Sequence, residues 1–213
     1  MAVFYTQNEE RANFITHAFG AAAGIAVGIW FLGIVYARFD ALAQLGMWLY
    51  VFGLLSSYGA SAAYHGCNPG TRLKSRLRKF DHIAIYWHIA GSYSPVCLIG
   101  MRSDMFWGWI LFAVVWICAL AGSLANIRKL EDHSHLETVC FVAMGLAVLI
   151  AFKPVLDAVG WHVMGWIIAE GVMFIVGALF YSMIKIRYLH TVFHIFVLLG
   201  SACHVIALWY MLM

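Results

Sequence analysis

Of the chain's 213 residues, 64% are hydrophobic and only 11% charged, and 13 basic against 10 acidic residues give a net charge of +3. A soluble domain is about 45–50% apolar and about 25% charged, and the mean hydropathy of +0.85 lies on the same side. A soluble globular domain, a disordered chain and a nucleic-acid binder are excluded. Five cysteines, at 67, 97, 118, 140 and 203, form no CxxC pair. They read as small packing residues rather than as a disulfide framework or a cysteine zinc site.

A spanning helix needs about 20 mostly apolar residues. In chain order, such runs fall at 14–37, 43–65, 80–100, 106–125, 137–152, 162–183 and 190–213, which predicts one all-α domain, a seven-transmembrane helix bundle. Glu9 and Glu10 precede the first run where a signal peptide would be basic, so that run is taken as a retained span. The fifth run is short, and either extends past Pro154 or reaches back into the preceding loop. The basic stretch 72–79 is expected to be a loop that signals orientation and touches anionic lipid heads. Gly20, Gly24 and Gly28 would allow close helix packing, and Trp107, Trp109 and Trp161 would anchor helix ends at the interfaces.

Basic residues mark the cytoplasmic side. With seven spans, one side holds Arg11, Arg72, Lys74, Arg76, Arg78, Lys79, Arg128, Lys129, Lys185 and Arg187, and the other holds Arg38, Arg102 and Lys153. Ten against three predicts a cytoplasmic N-terminus and an external C-terminus.

Ionisable groups inside spans are costly and mark function by default. Under this topology His17, His65, Asp81, His190 and His194 all fall near the cytoplasmic face, although they are far apart in sequence. His190 and His194 are one helical turn apart on one face, a spacing that suits two imidazoles on one metal ion. His65 is the candidate third ligand, which leaves an open position of the catalytic zinc type. Ser61, four residues before His65, faces the same way and would hold a water or orient a ligand. Asp81 would accept a proton from that water or position it by hydrogen bonding. The HExxH protease signature is absent, since Glu does not follow His190. The alternative for these histidines is hydrogen bonding to carbonyls of neighbouring helices. His133 and His135, beside Glu131 and Asp132, read as a solvated cytoplasmic loop, with metal binding the alternative. Glu170 reads as an interhelical hydrogen-bond partner or a proton relay. His88 and His204 read as supports of the site or as polar links between helices.

These motifs resemble the bacterial hemolysin III branch of the progestin and adipoQ receptor family over nearly the whole chain. The resemblance is carried by Glu10-x-x-Asn13-x-x-Thr16-His17, Ser61-x-x-x-His65, Asp81-His82 with Ala90 to Pro95, and His190-x-x-x-His194 with His204. It implies a seven-helix bundle with a cytoplasmic N-terminus in the bacterial plasma membrane. It also implies zinc (Zn2+) on His65, His190 and His194, with Asp81 and Ser61 in the family's conserved positions. The link between the helix 2 histidine and the helix 3 aspartate is shorter than in the animal receptors, and a large N-terminal domain is lacking, so hormone sensing is not implied. Related alkaline ceramidases suggest lipid amide hydrolysis, while the family name refers to cytolytic activity.

Three functions compete. One is a zinc-dependent hydrolase of a lipid amide or ester, with membrane lipids as partners. Another is a non-enzymatic protein of lipid sensing or homeostasis in which zinc is structural. The third is a cytolysin, which a compact retained bundle fits poorly. A retinal pump is excluded because helix 7 has no lysine. Imidazole donors suit zinc, iron or manganese. Closure of the metal shell by His17, His82 or Asp81 would favour the structural role.

Overall fold

A computed structural model describes residues 5–128, 135–183 and 186–213, and every regular element in them is helical. The helices are α1 (Gln7–Arg38), α2 (Ala41–Gly66), α3 (Arg72–Pro95), α4 (Met105–Arg128), α5 (His135–Gly145), α6 (Phe152–Ser182) and α7 (Leu189–Leu212). A π-helical turn, Val96–Gly100, continues α3, and a 3-10 turn, Leu146–Ala151, joins α5 to α6. Five stretches are long and apolar enough to cross a membrane: Gln7–Arg38, Ala41–Gly66, Met105–Ile127, Glu137–Ser182 and Leu189–Leu212.

The bundle turns large apolar side chains outward and buries polar ones among its apolar core. On α1, Glu9, Asn13 and His17 are buried, while Phe19 and Ile29 are 66% and 71% exposed. Only a lipid surround makes that inversion favourable, because outward apolar side chains then face hydrocarbon rather than water.

Two boundaries differ from the sequence expectation. The stretch 72–79 is helix, not loop: Thr71 caps α3 by accepting from the Lys74 backbone N–H at 3.1 Å. Lys and Arg are good helix formers, and Lys74 Nζ reaches the Tyr64 and Cys67 carbonyls at the end of α2, at 2.9 and 3.2 Å. The charge that ruled out a buried span therefore did not rule out a helix. The expected connector near 153–161 is also largely helical. The fifth run does extend past Pro154, and the break comes at Gly160, with φ 75° and ψ 169°. Side chains rarely adopt a positive φ and glycine does so freely, so Gly160 is where this long apolar stretch bends.

α2 packs most extensively on α3, α6 on α7, and α1 on α2. At the end of the bundle opposite the histidines, Arg102 forms an ion pair with Asp40, the cap of α2. That hydrogen bond from Arg102 holds the Asp40 carboxyl down at about 2.

Candidate metal centre

The structure brings together the three predicted histidines. His190 Nε2 lies 3.3 Å from His65 Nε2 and 3.1 Å from His194 Nε2. Two ligands of one tetrahedral zinc, each about 2.0–2.1 Å from the metal, sit roughly 3.3 Å from each other. The spacing fits. Among the described residues this is the only such group of ligand atoms.

The tautomers fit as well. His65 Nδ1 is 2.7 Å from the Glu10 carboxylate, an acceptor, so Nδ1 carries the proton and Nε2 a lone pair. Thr16 Oγ1 gives its single proton to the Ala12 and Asn13 carbonyls at 3.1 and 2.9 Å. Towards His194 Nδ1, at 3.1 Å, it therefore accepts, and His194 Nε2 is likewise unprotonated. Lone pairs converging at this distance could hold a metal ion. A neutral His190 could give a proton to one neighbour but not to both.

Sequence reasoning missed Glu10 and Thr16 as orienters of the ligands. The signal was there. Glu10, Asn13 and His17 follow i, i+3, i+7 spacing, which turns one polar face of α1 toward α2 and α7. Asn13 Oδ1 accepts from Thr191 Oγ1 at 2.6 Å. Glu9 closes a capping box with Thr6 and accepts from the Tyr188 backbone N–H at 3.0 Å. This fixes the start of α7, where Tyr188 has φ 63°, beside the first ligand turn. Lys74 completes the outer layer with an ion pair to Glu10 at 2.9 Å.

His17 does not close the shell. Its ring stacks on His194 with centroids 3.5 Å apart, and it adds no ligand atom to the group. His82 Nδ1 is committed to Glu137 at 2.9 Å. Three donors therefore face the site, the number that leaves a position open.

The centre closes one end of an internal cavity of about 330 Å³, lined there by Ser61, Asp81, His190 and His194. Ser61 is buried beside Asp81, its Oγ without a fully formed hydrogen bond. The apolar run at 80–100 would put Asp81 at the positive end of its helix, but α3 begins at Arg72, two and a half turns earlier. The dipole acts only within the first turn, so it does nothing for this carboxyl. Asp81 instead interacts with the imidazoles of His65 and His82. Beyond that end most of the lining is apolar, with His88, Ser92, Glu170 and His204 among the polar exceptions. Leu149, Ile168 and Val172 line the cavity and are also 60%, 45% and 47% exposed on the outer surface, so it reaches the flank of the bundle beside the 3-10 turn and α6.

Of the other candidates, Glu170 and His204 pair across α6 and α7, at 2.7 Å, and His88 meets Ser201 at 3.5 Å. Glu131, Asp132 and His133, with Lys129 and Lys185 from the basic count, lie outside the described residues.

An all-helical bundle of several apolar spans, enclosing a three-histidine group and a cavity open to its flank, defines a multi-pass membrane protein with a site able to hold a metal ion. Residues 5–205 match the Haemolysin-III related family. Hemolysin-3 of Bacillus cereus is 31% identical over 194 residues, covering 91% of this chain and 87% of that one. The Hemolysin-3 homolog of Bacillus subtilis (strain 168) is 32% identical over 200 residues, covering 93% and 92%. The human monocyte to macrophage differentiation factor is 26% identical over 213 residues, covering 94% and 83%. The chain belongs to the haemolysin III family, the hemolysin III branch of the progestin and adipoQ receptor family.

Proposed function

We propose that this protein is a zinc-dependent hydrolase of a lipid amide or ester, working at the inner leaflet of a bacterial plasma membrane. The carrying observation is the convergence of fixed imidazole lone pairs at the closed end of a largely apolar cavity that also holds Asp81 and Ser61. Held by His65, His190 and His194, zinc supplies Lewis-acid polarisation of a carbonyl and acidification of a water. Three neutral donors leave its charge undiminished. Asp81 takes the proton of the attacking water and passes it to the leaving group. Ser61, one turn from His65, supplies a hydroxyl toward the oxygen that gains charge. The largely apolar cavity holds the acyl chain, which enters from the bilayer at the flank beside α6. The basic residues of α3 suit a polar head at the rim.

The test compares wild type and Asp81→Asn, both loaded with zinc, on a panel of labelled acyl lipids. Wild type is expected to release fatty acid. The variant keeps its zinc and loses roughly 100-fold or more in turnover, the usual contribution of a positioned base. Failure of wild type to release fatty acid above a protein-free control overturns the enzymatic reading in favour of a zinc-bearing lipid sensor.

We further infer seven crossings with the N-terminus in the cytoplasm. Glu137–Ser182 contains 46 residues, about 69 Å of helix at 1.5 Å per residue and more than twice the ~30 Å hydrocarbon core. Gly160 supplies the reversal between two crossings. The π-helical turn lengthens the apolar part of α3 to Gly100. The ten-to-three basic asymmetry gives the orientation. A C-terminal reporter active only in the cytoplasm should stay silent on the full-length chain; strong activity refutes the count of seven.

A further inference from the structure

The far end of the cavity is lined by a second polar group that the proposed chemistry does not use. Glu170 on α6 and His204 on α7 are 7% and 2% exposed, and both line the cavity. His204 Nδ1 is 2.7 Å from Glu170 Oε2. The carboxylate accepts from Nδ1–H, so Nε2 carries a lone pair. That Nε2 is buried and has no hydrogen-bond partner. The Tyr50 ring lies 5.1 Å from the His204 ring, centroid to centroid, and its buried Oη also lacks a partner. The neighbouring polar groups are satisfied: Tyr58 donates to Ser201 at 2.8 Å, and Ser201 meets His88.

Buried polar groups without partners are rare in a native fold and costly. Here the fold leaves an acceptor on the wall of the cavity, with the Tyr50 ring packed beside the same imidazole. A metal does not fit, because Nδ1 is already engaged and no third ligand atom converges there among the described residues. A hydroxyl does fit, because it donates to His204 Nε2 and satisfies that atom.

His204 follows His194 by ten residues on one continuous helix, a rise of about 15 Å. We propose that Glu170 and His204 form a hydroxyl-recognition station, which selects an acyl ligand bearing a hydroxyl group about 15 Å along the bundle from the three-histidine centre. Glu170 fixes the tautomer and His204 accepts. The inference rests on the reading of the cavity as an acyl site and adds the class of chain that it takes.

The experiment uses the zinc-loaded full-length protein in lipid nanodiscs and displacement of a fluorescent fatty acid. Competitors are free fatty acids of one length, either unsubstituted or carrying one hydroxyl moved stepwise along the chain. Free acids are not cleaved, so binding is read without turnover. A hydroxyl at the matching position is expected to tighten binding about five- to tenfold, the net effect of a hydrogen bond to a buried partner. Hydroxyls elsewhere weaken binding. His204→Phe combined with Glu170→Leu, which removes the pair together so that no buried carboxylate is left unpartnered, brings the ratio to about one with zinc content unchanged. Tyr50→Phe, which removes only an unpartnered oxygen and so preserves the fold, keeps the preference.

Equal wild-type affinity for the unsubstituted acid and for every hydroxylated isomer overturns the proposal. That is also the result if a trapped water already satisfies His204 Nε2. Failure of any acid to displace the probe overturns the acyl-cavity reading itself, and the station with it.

Discussion

Alanine at His65, His190 or His194 is expected to remove most of the bound zinc, and the triple variant all of it. Purified wild type should carry about one zinc per chain by elemental analysis. The three ligands come from two helices, two of them from adjacent turns of α7. Losing His65 leaves a two-imidazole chelate, and losing either α7 histidine leaves one donor on each helix. Metal affinity falls steeply in each case because three donors are the minimum for a retained site. Glu10→Gln is the more discriminating variant. It leaves all three donors in place and removes the charge that holds His65 Nδ1–H at 2.7 Å. Partners of this kind are worth about 10- to 100-fold in metal affinity. Wild-type zinc content in the triple variant would refute the metal centre. Unchanged affinity in Glu10→Gln would refute only the role given to Glu10.

A side chain added at Gly53 should be more damaging than most core truncations. α2 and α3 approach so closely there that a Cβ on Gly53 would overlap the Trp87 carbonyl oxygen and lie 3.1 Å from the His88 Cα. At Gly91, on the facing helix, a Cβ would be 2.8 Å from the Leu49 carbonyl oxygen. Backbone cannot swing aside as a side chain can, so the helices must separate. Gly53→Val is expected to cost roughly 3 kcal/mol or more. Zinc should fall with stability, because α2 carries His65 and α3 carries Asp81. Gly59→Ala is the control on the same helix, since a Cβ there meets nothing within 4 Å. Alanine gains about 0.5–1 kcal/mol over glycine inside a helix, so that variant should be neutral or mildly stabilising. Thermal unfolding in detergent compares the two; equal melting of Gly53→Val and wild type would contradict the α2–α3 packing.

Much of the site was legible before any fold was known. A metal pair one turn apart on a helix is a local property, so the spacing of His190 and His194 announced itself. His65 and Asp81 could be added because apolar runs fix which helix ends share a depth. Glu10 and Thr16 were harder to place. Their partners lie 55 and 178 positions away in sequence, and no local pattern says which neighbouring helix a polar face will meet.

By itself the sequence determined that the chain is a helical membrane protein with its costly polar groups gathered at one end. Composition and apolar run length are enough for that, because hydrocarbon admits few alternatives to the helix. Tertiary structure decided the rest. It extended α3 through a run of charges, since Thr71 could cap it and Lys74 could reach the end of α2. It placed the bend of the long apolar stretch at Gly160, the one position there whose backbone takes a positive φ. It assigned the imidazole protons, because a tautomer depends on what lies against Nδ1. It also left His204 Nε2 on the cavity wall without a partner. Whether a buried polar atom is satisfied depends on packing between helices, and periodicity along one helix does not record it.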